Sequence, residues 1–391
     1  LLENPSEIKK EYTQSTNLSY LSAVHEALGA AGHIEEIMRP VGVPPSSGMW
    51  MTRAMMMRQR NIKVDLVANQ GLVWIKVIAR NAKALRHDLA GFEVEESEEE
   101  EDESEDESDF ATSGDGFEQL PIFKKAREYL RCAQAHQVHF RTPVVVFAFM
   151  RIRRNEDVFV QRIMDRLEEM GVVVNLQGED LRSSYYHLAD STDLTTNRLN
   201  LDVSSVLALI SEMSHHVCRP DQVMGEPLQI QAAREAEAPA LPMLRQIFHN
   251  KQLCIVQSAF DRLESIVNIV GGPNEKARFA YLFRKEDMAF DQTLWTTMPS
   301  MEIQVIPDAT SERFRQLLDP PAQRAKLNNG RKISSRFSAF HAVIFGSGDQ
   351  YQMTTVTAIQ WMYTALTDAG VTGVAVVCHE PRSLAEQKMQ T

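Results

Sequence analysis

Between Glu93 and Asp109 the chain carries 13 acidic residues and no basic one. So dense a run repels itself and holds too few apolar side chains to offset the entropy of ordering it. Any fold must therefore accommodate residues 93–116 as a disordered acidic insertion. The run also governs the electrostatics: the formal charge is −12, and without those 13 residues the remainder would carry +1. A nearly neutral remainder is free to hold local basic patches, so the negative total does not exclude a nucleic-acid partner. Ser97, Ser104 and Ser108 sit among the acids, a setting that acid-directed kinases use, and the run itself suits basic protein partners.

A chain of 391 residues exceeds one ordinary core and predicts two domains. The longest apolar runs, Pro143 to Met150 and Val371 to Cys378, have about eight residues, whereas a membrane-spanning helix needs about 20. No membrane association and no secretory signal are expected, which points to the cytoplasm or nucleus. Cys132, Cys218, Cys254 and Cys378 lie far apart with no CxxC pair, as in a protein with reduced, mostly buried thiols.

The amino-terminal domain, residues 1–192, reads as α/β. A helix is expected over Thr16–Gly32, with Leu18, Leu21, Val24, Leu28 and Ala31 on one side. Val41–Gly48 reads as a loop and the Met-rich Met49–Met57 as a core-filling helix. Strands Ile62–Ala68 and Leu72–Ala79 flank the turn-forming Asn69-Gln70-Gly71 and predict a hairpin. Ala82–Leu89 reads as a short helix. After the acidic run come helix Pro121–Gln134, strand Val144–Phe149, helix Val158–Met170 and strand Val172–Leu176.

The carboxy-terminal domain, residues 193–391, opens on a strand that ends in Asp202 and hands over to a helix through Ser204 and Ser205. Helix Pro239–Asn250, strand Gln252–Gln257, helices Ala259–Val270 and Asn274–Glu286, strand Met301–Ile306 and helix Ser311–Leu318 follow. His341–Gly346 reads as a buried strand, Ser347-Gly348-Asp349 as a turn, Thr354–Ala369 as a helix and Gly373–Cys378 as a strand. On this reading Asp202 and Asp349 both emerge at the carboxyl ends of parallel strands, where open α/β sheets bind ligands.

Two carboxylates held close together cannot both stay ionised without a cation or a shared proton. Oxygen ligands of this kind suit Mg²⁺ or Mn²⁺, which activates water and stabilises charge on a phosphodiester. Glu264, on the helix after Gln252–Gln257, is the candidate third ligand. The plainer alternative is that Asp202 and Asp349 cap helices. Lys326, Arg331, Lys332 and Arg336 form the basic stretch best placed to follow a phosphate backbone. In the hairpin, Asp65 followed by Trp74-Ile75-Lys76 approaches the pattern of an Asp on one strand and acid-x-Lys on the next. Trp74 occupies the second acid's place, so Asp65 and Lys76 are expected as a surface pair across the hairpin or a binding contact, and Trp74 as core. His215 and His216 are neighbours that diverge by about 100° on a helix and are not expected to share a ligand.

Asn200-Leu201-Asp202-Val203-Ser204-Ser205 followed by Ile344-Phe345-Gly346-Ser347-Gly348-Asp349 resembles the first and third acidic motifs of the PIN-like nucleases. More narrowly, the chain resembles a eukaryotic family with domain of unknown function 1308. The similar segments include Gln14 to Leu18, Lys63 to Asn69, Trp74 to Lys76, Phe147 to Phe149, Pro307-Asp308, Ser311 to Arg313 and Lys332 to Arg336. The resemblance implies a PIN-like parallel sheet flanked by helices. It further implies three or four carboxylates around Mg²⁺ or Mn²⁺ that cut single-stranded RNA, mapping the first to Asp202, a later one to Asp349 and the second loosely to Glu264. The fourth position has no acid. Two functions are thus expected: a metal-dependent endoribonuclease or RNA-processing factor, or an inactive PIN-like binding or scaffold protein.

Overall fold

The computed structural model describes residues 17–44, 60–89, 116–155, 157–189, 193–284, 301–324, 326–327 and 330–389. The expected Met-rich helix and the acidic run lie outside these residues. The described residues up to Asp193 form one compact unit and those from Leu194 onward another, each around its own five-stranded sheet.

In the first unit, β1 (Ile34–Gly42), β2 (Asn61–Ala68), β3 (Val73–Ile78), β4 (Val144–Phe149) and β5 (Val173–Leu176) lie in that spatial order. The first three are antiparallel and the last three parallel. The β2–β3 hairpin turns through Asn69, Gln70 and Gly71 at φ 52°, 56° and 89°, left-handed conformations that these residue types tolerate. Strand β1 was not expected. Its Glu35-Glu36 and Pro40 break the alternation of a half-buried strand, and such residues belong to a sheet edge.

Helices α1 (Leu18–Ala30), α2 (Ala82–Leu89), α3 (Pro121–Ala135), α4 (Val158–Glu169) and the short α5 (Leu181–Tyr185) complete this unit. Phe123, Ala126, Tyr129 and Cys132 of α3 share a core with Ile163, Met164 and Leu167 of α4 and Phe147 and Phe149 of β4. Helix α1 keeps part of its expected stripe: Val24 and Ala31 are buried, but Leu18 and Leu21 are exposed and Ala23 and Ala27 are buried in their place. Small side chains let this helix approach the sheet.

The Asp65–Lys76 pair is also a correction, because it is internal. Pairing of β2 with β3 is registered from Leu66 with Ile75 back to the turn, and Asp65 lies in the fork beyond, fully buried. Its carboxylate accepts from the Val77 backbone N–H (2.6 Å), Lys76 Nζ (3.5 Å) and the Tyr20 hydroxyl. Burial pushes the Asp65 carboxyl above its usual range, opposed by the Lys76 charge. Trp74 is core, as expected.

The second unit holds β6 (Arg198–Leu201), β7 (Gln252–Val256), β8 (Ile303–Ile306), β9 (Thr354–Thr357) and β10 (Val376–Cys378). The spatial order is β10-β9-β6-β7-β8, and every pair is parallel. The chain winds from β6 outward to β8 and then crosses to β9 on the other side. The topological switch point therefore lies between β6 and β9. Helices α6 (Val203–Ile210), α7 (Glu212–His215), α8 (Glu226–Glu237), α9 (Ala240–Phe248), α10 (Gln257–Val270) and α11 (Pro273–Leu282) follow β6 and β7. Helices α12 (Glu312–Gln316), α13 (Pro320–Arg324), α14 (Ala339–Gln350) and α15 (Trp361–Asp368) come later.

Two expected elements change type here. His341–Gly346 and the Ser347-Gly348-Asp349 turn both belong to helix α14, whose amino end is capped by the Ser338 hydroxyl accepting from the His341 N–H. The expected helix over Thr354–Ala369 begins instead as strand β9, which pairs Asn200 with Thr355 and Leu201 with Val356. A short apolar run fits a buried strand or a buried helix equally well. Three threonines and a valine favour the pleated conformation for Thr354–Thr357.

The last described segment is built into this unit. Buried Glu275 accepts backbone N–H groups from Glu212 (3.0 Å), Gly272 (3.0 Å), Ala385 (2.8 Å) and Glu386 (3.2 Å). Arg382 is buried against the equally buried Glu235.

Candidate nucleic-acid interface

Strand β6 ends at the switch point, and Asp202 is the next residue. Its Oδ1 accepts from the Ser204 N–H (2.7 Å), its Oδ2 accepts from the Ser204 hydroxyl (3.0 Å), and the Thr357 hydroxyl at the end of β9 donates to the same oxygen. Asp202 thus caps α6 and ties β6 to β9. It is 3% exposed, so both carboxylate oxygens face protein donors.

Asp349 sits elsewhere. It lies in the last turn of α14, five positions before β9 begins, at the amino edge of the sheet, whereas Asp202 follows β6 at the carboxyl edge. This corrects the expected juxtaposition. The cause is the helical state of α14, which carries the chain past the sheet before β9 starts. Asp349 accepts from the Ser311 hydroxyl (2.6 Å) and from Arg313 Nε (2.8 Å) and Nη2, while Arg313 Nη1 donates to the Thr372 carbonyl (2.6 Å).

Glu264 is half-buried on α10, eight positions beyond the end of β7. Among the described residues no group of three or more His, Cys, Asp or Glu side chains converges on a point that could hold a metal ion. The donors present do not fit the Mg²⁺ or Mn²⁺ cage that the resemblance implies. One capping carboxylate, saturated by hydroxyl and amide donors, offers too little charge to bind a hard cation that prefers near-octahedral oxygen.

What does gather near Asp202 is aromatic and basic. The Arg336 guanidinium lies 5.1 Å from the Trp361 ring centroid, and Trp361 meets His341 edge-on, centroids 5.8 Å apart at 86°. Arg262 stacks 4.7 Å over Phe340 at the start of α14. Burial lowers the His341 pKa below the usual imidazole range, and the Asp202 charge partly opposes that. A neutral ring fits the contact of Nδ1, which accepts from the Ser338 N–H (3.2 Å).

Lys326, Arg331 and Lys332 lie on an exposed turn just before this group. Lys326 and Lys332 form an isolated bridge, Leu327 N–H donates to the Arg331 carbonyl (2.8 Å), and Leu327, Ile333 and Phe337 anchor the turn in the core. Of the four basic residues read from the sequence, Arg336 packs on the aromatic group, while Lys326, Arg331 and Lys332 lie on the turn that precedes it along the chain. Trp361 was missed because β9 was read as helix, and His341 and Phe340 because the start of α14 was read as strand; Arg262 carried no sequence signal.

The doubled histidine splits as expected. His215 Nε2 donates to the Leu209 carbonyl (2.8 Å), and His216 Nδ1 faces Glu212 (2.6 Å).

Residues 199–307 and 299–391 match the family model described as protein of unknown function (DUF1308). The carboxy-terminal unit belongs to the DUF1308 family. Residues 4–93 match a second model, described as family of unknown function (DUF5614). No solved structure matches the chain. In the DUF1308 unit all five strands are parallel and flanked by helices, and no helix among the described residues is long and apolar enough to cross a membrane.

Proposed function

We propose that the DUF1308 unit is a PIN-like RNA-binding module that does not build a metal-dependent cutting site. The observation that carries this reading is the Arg336–Trp361–His341 stack beside Asp202, set against Asp349 held by Arg313 at the opposite sheet edge. Trp361 is half-buried, and an aromatic ring with a partly accessible face and flanking cations is how sequence-tolerant single-strand binders stack bases and neutralise phosphates. The PIN-like assignment draws support from the strand order, with Asp202 at the switch point. Asp202 then serves as the hinge pin of the platform, orienting α6 and β9.

Fluorescence anisotropy with labelled single-stranded RNA tests this directly. Trp361→Ala weakens binding by about 1–3 kcal/mol, the usual worth of one stacked base. Arg336→Ala weakens it and flattens its salt dependence, as loss of one phosphate contact does. Unchanged affinity in both variants would remove the proposal. The hydrolytic reading keeps one favourable observation, the place of Asp202 at the switch point. Mn²⁺-dependent cutting by the wild type that Asp202→Asn abolishes would restore it.

A further inference from the structure

Outside the DUF1308 unit, helices α3 and α4 enclose an open groove of about 330 Å³. It is lined by Arg127, Leu130, Arg131 and Gln134 of α3 and by Arg166 and Met170 at the end of α4. Lys124, Arg127 and Arg131 recur at steps of three and four, so they share the exposed face of α3. Arg166 is already engaged by Glu118 and Glu169 and forms a fixed wall. Arg127 reaches only the Glu118 backbone carbonyl (3.5 Å), and neither it nor Arg131 pairs with a carboxylate among the described residues. Leu130 and Met170 are half-buried and form an apolar floor between these cations.

We infer that this groove binds an acidic peptide segment of a partner protein, one apolar side chain seated on Leu130 and Met170 between carboxylates that meet Arg127 and Arg131. Arginine forks suit carboxylates, which they hold by paired hydrogen bonds. From Lys124 to Arg131 the helix rises about 10 Å, the length of roughly three residues of extended peptide. Charged ends flanking an apolar middle match a peptide better than a nucleic-acid strand, because the groove lining holds no aromatic ring on which a base would stack. The inference is independent of the RNA-binding reading, since it concerns another unit and other residues.

The test is anisotropy of a fluorescent aspartate- and glutamate-rich peptide with one central leucine, titrated with the full-length chain. A second full-length protein carries Gln and Asn in place of the acids between Glu93 and Asp109, because that run has the composition of a competitor. Binding to either protein that weakens about tenfold in Arg127→Ala with Arg131→Ala, and also when the peptide leucine becomes serine, supports the inference. No binding to either protein overturns it. So does peptide binding that ignores the two arginines, or single-stranded RNA binding that is lost with them while the peptide does not bind.

Discussion

Arg313 holds Asp349 in a two-pronged ion pair and, with its remaining nitrogen, the carbonyl of Thr372. The arrangement fastens the end of α14 to the segment that leads into β10. Asp349→Ala leaves the guanidinium without its fork partner and is expected to cost about 1–2 kcal/mol, at the lower end for a pair whose arginine is more than one-third exposed. Chemical denaturation should register that loss. RNA affinity should stay unchanged, whereas a metal-binding role for Asp349 would make it, or metal-induced stabilisation, fall.

Asp202 is expected to behave as a cap. Asp202→Ala removes the acceptor for the Ser204 N–H and strands the Thr357 hydroxyl, a cost of about 1–2 kcal/mol. Asp202→Asn keeps an accepting oxygen for the Ser204 N–H but sets an amide against the two hydroxyls that donate to Oδ2, so it should lose less than alanine without being neutral. Urea midpoints of the two variants check this, since equal losses would mean that the Ser204 N–H cap contributes nothing.

Gly346 lies where α14 crosses α12. A Cβ there would stand 2.7 Å from Thr310 Cγ2 and 2.9 Å from Phe314 Cβ. Gly346→Ala should therefore destabilise the fold by about 1–3 kcal/mol despite the better helix propensity of alanine. A thermal midpoint that rises instead would show that the helices separate easily.

Burial pushes His215 down to about 4, with the Arg278 charge acting in the same direction. Its ordinary value of 6.5 applies to the unfolded chain, so between those values the unfolded state binds more protons. Stability from this group is complete above pH 6.5 and is lost as pH falls toward 4. Unfolding free energy measured by denaturant at pH 7 and pH 5 should drop by about 1–2 kcal/mol from His215 alone. His215→Gln, which can still donate to the Leu209 carbonyl, should reduce that drop.

Much of the architecture is legible from residue order. The β2–β3 hairpin follows from Asn69-Gln70-Gly71, and the strands at Val144, Gln252 and Met301 follow from short β-branched runs. The errors cluster at two kinds of place. Edge strand β1 hides behind Glu35, Glu36 and Pro40, because an edge needs no alternating pattern. The stretch from His341 to Thr357 exchanges helix for strand, because Ala342 to Phe345 suits either conformation and only packing against Asn200 and Thr310 decides. That exchange moved Asp349 to the wrong end of the sheet. It also hid Trp361, whose place at the carboxyl edge depends on β9 ending four positions earlier.

The four amide groups that converge on Glu275 have a practical reach. Two of them belong to residues 385 and 386, so a truncation that removes these two residues would strip partners from a carboxylate that has no access to water. Expression designs for the DUF1308 unit should keep everything through Glu386, and a fusion tag belongs beyond it on a spacer.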